Sequence, residues 1–242
     1  MNARLIRKLH RWTGLLFSLS VLLASGSGVL HNVMTRTQPP PPAAAPSGPS
    51  VDVSAVRVSL PAAVAALADE APGVGVRAVN LRGIGGEPWY QIYLQDSPMP
   101  RYVSALDGRV DPSRDEAYAA EIAAGFLGGA AVSKTAYLTA FDSEYLNIFR
   151  ILPVHRFDAG DGIATRVYVS TTTGSVTRHT DRRRQLEADL FTNFHKLGFI
   201  PDKNLRDLVL TVTTTGIFLV ALLGVVLFLA TGFKPRRRNG PG

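Results

Sequence analysis

Two stretches of the chain, Trp12 to Met34 and Leu208 to Phe233, contain no Asp, Glu, Lys or Arg. Each exceeds the roughly 20 residues that a helix rising about 1.5 Å per residue needs to cross ~30 Å of hydrocarbon. Transmembrane helices are therefore expected over 12–35 and 205–233. Between them the pattern alternates between helical and strand-like. Ser59 can cap a helix that carries Pro61 in its first turn, and Leu60, Val64 and Leu67 recur at i, i+4 and i+7 until Ala71-Pro72-Gly73. Short β-branched or aromatic runs follow at Val74 to Val79, Trp89 to Leu94 and Arg101 to Ala105, broken by Gly83 to Gly86, Pro98 and Asp107-Gly108. A second round opens with Ser113 and Glu116 spaced as a capping box, then a stripe of Ala119, Ile122, Ala123 and Phe126 that stops at Gly128-Gly129. Strands are expected after it at Thr135 to Phe141, Tyr145 to Ile151, Val154 to Phe157 and Thr165 to Ser170. The expected fold class is α+β, with two transmembrane helices flanking two helix-plus-antiparallel-sheet modules at 51–110 and 111–181.

Composition refines the connections. Residues 36–50 form a Pro-rich linker whose prolines lack the donors that helix and sheet require, so it is expected to be a stiff spacer. Residues 182–204 read as an interfacial amphipathic helix and loop, with Leu186, Leu190, Phe191, Phe194 and Leu197 on one broad arc and His195 at its edge. Arg4, Arg7, Lys8 and Arg11 lie in a basic tail at 1–11, and Lys234, Arg236, Arg237 and Arg238 in a second at 234–242. Lys and Arg counted over short flanks set orientation. Both termini are thus expected in the cytoplasm of a bacterium, the helices in its inner membrane and the central domain in the periplasm. A secretory signal cleaved near Ala24-Ser25-Gly26 is the other reading of the first run, but its length favours an uncleaved anchor. The net charge of +7 then has a topological origin, and no nucleic-acid partner is expected. The expected partners are the lipid bilayer and a second copy or another membrane protein. The chain contains no Cys, which excludes disulfides, a thiolate nucleophile and Cys-ligated metal.

Several segments resemble the PepSY-associated transmembrane family. They are Arg7-Lys8-Leu9-His10-Arg11-Trp12-Thr13-Gly14, Leu152-Pro153-Val154-His155-Arg156-Phe157, Tyr168-Val169 with Thr173-Gly174-Ser175-Val176, and Phe194-His195-Lys196-Leu197-Gly198-Phe199 ahead of Leu205-Arg206-Asp207-Leu208. Each is weak alone, and their order carries the resemblance. It implies PepSY-like modules between the terminal helices. Some members of the family are linked to reduction of ferric siderophores, whereas PepSY modules elsewhere act on peptidases as inhibitory or chaperone-like segments. Members resembling reductases carry additional membrane helices with further histidines; this chain has two such helices.

With five His and no Cys, a haem would be held mainly by imidazole. His10 and His31 lie about 31 Å apart along a helix axis and cannot share one iron. His31 and His195 are both expected near the outer boundary, where they are the candidate axial ligands of a b-type haem seated between Ser25 to Gly28 and the aromatics Phe191 and Phe194. His10, at the inner boundary, would need a ligand from another chain. Structural roles stand beside these: His10 among headgroups, His31 bonding a free carbonyl, His195 straddling wet and dry sides. His155 and His179 read as structural. There is no Gly-rich phosphate loop, HExxH helix or Gly-x-Ser-x-Gly elbow, so no catalytic or metal residue is assigned and enzymatic activity is left open. Two functions compete: a haem-binding electron-transfer or accessory subunit in iron-siderophore uptake and reduction, and a non-enzymatic anchored module that binds a peptide, a protease or a transport partner.

Overall fold

A computed structural model describes residues 3–231 apart from 39, 41–45, 69–72, 74, 96 and 150. The predicted stop at Ala71-Pro72, residues 39 and 41–45 of the proline tract and the C-terminal basic tail lie outside the described residues. The chain divides into two compact units, one formed by 1–38 with 186–242 and the other by 39–185.

The first unit is built on two long helices, α1 (Ala3–Thr35) and α5 (Lys203–Thr231). The segment read as a basic tail is helical from Ala3, because Arg, Leu, Ile and Lys are good helix formers that simply continue the α1 ladder outward. Asp202 starts α5 by accepting the Leu205 N–H at 2.7 Å. Leu15, Leu16, Leu19 and Leu22 of α1 and Leu208, Phe218, Val225 and Phe228 of α5 are all exposed. So much bare apolar surface on helices of 33 and 29 residues is compatible with two membrane spans and costly in water.

The helices run antiparallel, with His10 over Gly224, Gly14 against Val220 and Phe17 over Gly216. The Phe17 ring occupies the place a Gly216 side chain would take. Farther along α1, a Cβ on Gly26 or Gly28 would meet nothing within 4 Å, whereas Ser27 between them is buried beside His195. Gly216 and Gly224 differ by ~80° around the helix, which still lies within one packing face ~100° wide.

The second unit holds two antiparallel sheets. β1 (Val76–Ile84), β2 (Glu87–Leu94) and β3 (Arg101–Ser104) form the first in that order. The second is β4 (Ser133–Leu138), β5 (Val154–Asp158), β6 (Arg166–Ser170) and β7 (Ser175–Thr180). β1 extends past its predicted end to a two-residue turn at Gly85 and Gly86, whose φ of 61° and 77° suit a tight hairpin. Tyr145 to Ile151, expected as a strand, is a turn followed by a 3-10 turn at Asn147–Phe149. Asp142 causes this by accepting the Glu144 and Tyr145 N–H groups. β7 holds His179 on the strand-like segment expected for it, although Thr177, Arg178 and His179 blur the alternation.

The helix α2 (Leu60–Ala65) packs Ala63, with Leu67 just beyond it, on Ile92, Leu94 and Val103 of the first sheet. α3 (Arg114–Phe126) departs from the expectation of one helix per sheet. Tyr118, Ala119, Ile122 and Ala123 join Ile84, Trp89 and Tyr102 from the first sheet and Phe157, Val167, Val169 and Val176 from the second in a single core. The predicted capping box also gives way. Ser113 makes no side-chain cap; Asp111 accepts from its N–H and hydroxyl, and Glu116 pairs with Lys134. The end of the linker belongs to this unit and is no free spacer. Ser47 donates its N–H to Gly174 at 2.8 Å, and a Cβ on Gly48 or Gly174 would stand 2.5 or 2.7 Å from the Tyr118 hydroxyl.

Candidate functional site

The three candidate ligands all lie in the first unit. α4 (Arg182–Leu190) runs into a π-helical turn, Phe191–His195, which stacks the Phe191 and His195 rings 4.6 Å apart at 12°. The His31 ring approaches the same phenyl ring at 4.6 Å, tilted by 34°. Phe191 therefore touches both imidazoles. Each is also tethered through Nδ1. His31 Nδ1–H donates to the Glu187 carboxylate in a close pair, and the other Glu187 oxygen accepts from Gln38 at 3.4 Å. His195 Nδ1–H donates to the Ala24 carbonyl at 3.1 Å, with Ser27 Oγ 3.4 Å away. His10 lies elsewhere, donating Nδ1–H to the Val220 carbonyl at 3.1 Å and so tying α1 to α5.

A haem shared by His31 and His195 would be held through their Nε2 atoms, since both Nδ1 atoms are engaged. Two axial imidazoles must point their nitrogens at each other across an iron, about 4 Å apart. Here both rings lie against the Phe191 ring, the aromatic expected to wall the slot. The Nδ1 tethers fix ring orientation as outer-shell partners of a metal ligand do, but they serve helix packing equally well. Among the described residues no group of three or more His, Cys, Asp or Glu could hold a metal ion.

The central unit contains a polar chain that sequence reasoning missed. Gln91 donates to the Tyr102 hydroxyl at 2.8 Å, Tyr102 to Asp115 Oδ1 at 2.8 Å, and His155 Nε2–H to Asp115 Oδ2 at 2.7 Å. Burial pushes the Asp115 carboxyl up, but hydrogen bonds from His155, Thr171 and Tyr102 outweigh it and hold the group below the usual carboxylate range. Burial and the Asp115 charge both raise the Tyr102 hydroxyl. Asp115 sits four residues before Ala119 and seven before Ile122, on the buried stripe, which was the available signal. Asp115, Tyr102 and His155 are at most 6% exposed, so the pair reaches no substrate and acts by joining α3 to both sheets. His155 thus takes the structural place expected of it. His179 on β7 accepts from the Arg184 guanidinium in a close contact. Burial and the Arg184 charge push its pKa down to about 4.

These features define an α+β protein with two antiparallel sheets and two long apolar helices near its ends, compatible with association with a bilayer. Compared with family models, curated proteins and solved structures, the chain matches none.

Proposed function

We propose that the protein is a PepSY-like, membrane-anchored binding module of the bacterial inner membrane, with both termini cytoplasmic and its central domain in the periplasm, where that domain engages a protein or peptide partner. The observation that carries this reading is the β4–β5 connection. Tyr145 is fully buried there, stacked on Tyr168 at 4.8 Å and on Phe149 at 5.1 Å, and it donates to the Ile151 carbonyl. The loop so pinned presents Phe141 and Ile148, which are 40% and 63% exposed. Large apolar side chains held out on an ordered loop are what interface anchors require, because little further entropy is lost on binding.

The haem-binding, siderophore-linked reading would use the Nε2 atoms of His31 and His195 beside the Phe191 ring. Two measurements on the same membranes separate the functions. The binding module is expected to give no haem bands in reduced-minus-oxidised spectra, and a photo-crosslinking residue at Ile148 is expected to give a discrete adduct that Phe141→Asp removes. A haem spectrum that disappears in His31→Ala and His195→Ala at normal protein levels overturns the proposal.

A further inference from the structure

At the start of α1, Arg4, Arg7, Lys8 and Arg11 line a concavity of about 440 Å³. Their spacing of i, i+3, i+4 and i+7 confines them to an arc of about 100°. Three further features bear on what could occupy it. The face toward α5 is taken by His10, Gly14 and Phe17, and the cationic arc adjoins that face without being part of it. The flank adjoining Lys8 carries Leu5, Leu9 and Trp12, which are 55%, 46% and 55% exposed. Finally, the uncharged run begins at Trp12, so in a spanning helix the cationic turns stand at headgroup depth and Trp12 marks where the acyl region begins.

We infer that the Arg4, Arg7, Lys8 and Arg11 face is a binding site for an anionic phospholipid, with the phosphodiester held by the cations beside Leu5 and Leu9 and the acyl chains entering the bilayer past Trp12. Guanidinium groups suit phosphate oxygens because their planar fork donates in pairs. Four cations match a headgroup with two phosphodiesters, as in cardiolipin, better than one with a single phosphate. Trp12 adds an amphipathic ring at the level where such rings settle, with the Arg11 guanidinium 5.6 Å from its centroid. An electrostatic surface alone would accept any soluble phosphate; the adjoining apolar flank selects a lipid.

This inference rests on α1 crossing a bilayer, and its test keeps the two apart. Full-length protein is incorporated into nanodiscs of phosphatidylcholine with or without cardiolipin, and retained lipid is measured by native mass spectrometry. Wild type is expected to retain cardiolipin in preference to phosphatidylcholine. Arg7→Gln with Lys8→Gln is expected to weaken retention about 30-fold, at about a kilocalorie per mole for each cation. Arg182→Gln with Arg183→Gln, which removes equal charge elsewhere, is expected to leave it unchanged. Trp12→Ala, with every cation intact, is expected to weaken lipid retention as well. Equal retention of both lipids, an unaffected Arg7 and Lys8 variant, or full displacement of cardiolipin by millimolar inorganic phosphate overturns the lipid site. Failure of the wild type to enter nanodiscs of either composition instead overturns the membrane-spanning premise.

Discussion

Asp115 carries a carboxylate into a core, and it is tolerated because three donors surround it. Removing it by Asp115→Ala strands the His155 N–H and the Tyr102 hydroxyl inside, which is expected to destabilise the protein by about 3 kcal/mol. Thermal unfolding of the full chain followed by tryptophan fluorescence checks this, since Trp89 lies in the same core; an unchanged midpoint would contradict it. His179 supplies a pH dependence. Its folded pKa of about 4 lies below the ordinary 6.5, so the unfolded chain binds its proton more readily. Its stabilising contribution is full above pH ~6.5 and is lost as pH falls toward 4, because stability rises with pH wherever the unfolded state holds more protons. With His179 about half-buried and therefore partly screened, the loss is expected to be about 1 kcal/mol. Unfolding midpoints between pH 7 and 4 should decline, and His179→Gln should flatten that decline.

At the scale of elements, the α1–α5 contact depends on two glycines that admit large side chains. Because the chain lacks Cys, an engineered pair reports on this contact without background. A Cβ on Gly14 would lie 3.8 Å from Val220, so Gly14→Cys with Val220→Cys is expected to form an intramolecular disulfide on mild oxidation. Adding Gly216→Leu, which takes the space of the Phe17 ring, is expected to abolish it on non-reducing gels. The turn after α4 shows a different dependence. A helix of regular pitch would already bring Phe191 and His195 to neighbouring positions, but whether the phenyl ring also meets His31 depends on how two distant segments pack. The histidines and aromatics of the candidate site were legible in the sequence; their mutual orientation was not, since imidazole and phenyl packing is settled by contacts across the chain.

For the whole molecule, the proposed topology makes a direct statement. A reporter fused after Gly242 is expected to be active only in the cytoplasm, and one inserted in the proline tract after Pro42 only in the periplasm. An externally active C-terminal reporter would reverse the orientation assigned from Arg4, Arg7, Lys8 and Arg11 and from the C-terminal cations. The single core shared by α3 and both sheets also means that the two predicted modules should unfold together. A substitution in one sheet, such as Trp89→Ala, is expected to lower the same unfolding transition as Val167→Ala in the other, which differential scanning calorimetry would register as one displaced peak.

The two long apolar helices were legible in the sequence, since an uncharged run above twenty residues is compatible with a membrane span whatever the rest of the chain does. The Ser59 cap, the Asp107-Gly108 turn and the stripe on α3 act through neighbours a few residues away. Local signals of that kind survive folding because their partners are covalently close. Tertiary structure decided what depends on distant partners. Tyr145 left the expected strand because Asp142 bends the backbone there and Tyr168 buries its ring. Ser47 and Gly48 docked because Gly174 and Tyr118 leave room for them. The packing glycines proved to be Gly216 and Gly224 because Phe17 and His10 face them. Phe191 meets both His31 and His195 because two segments about 160 residues apart converge, and no periodicity in the chain encodes the angle at which the rings of His31 and Phe191 meet.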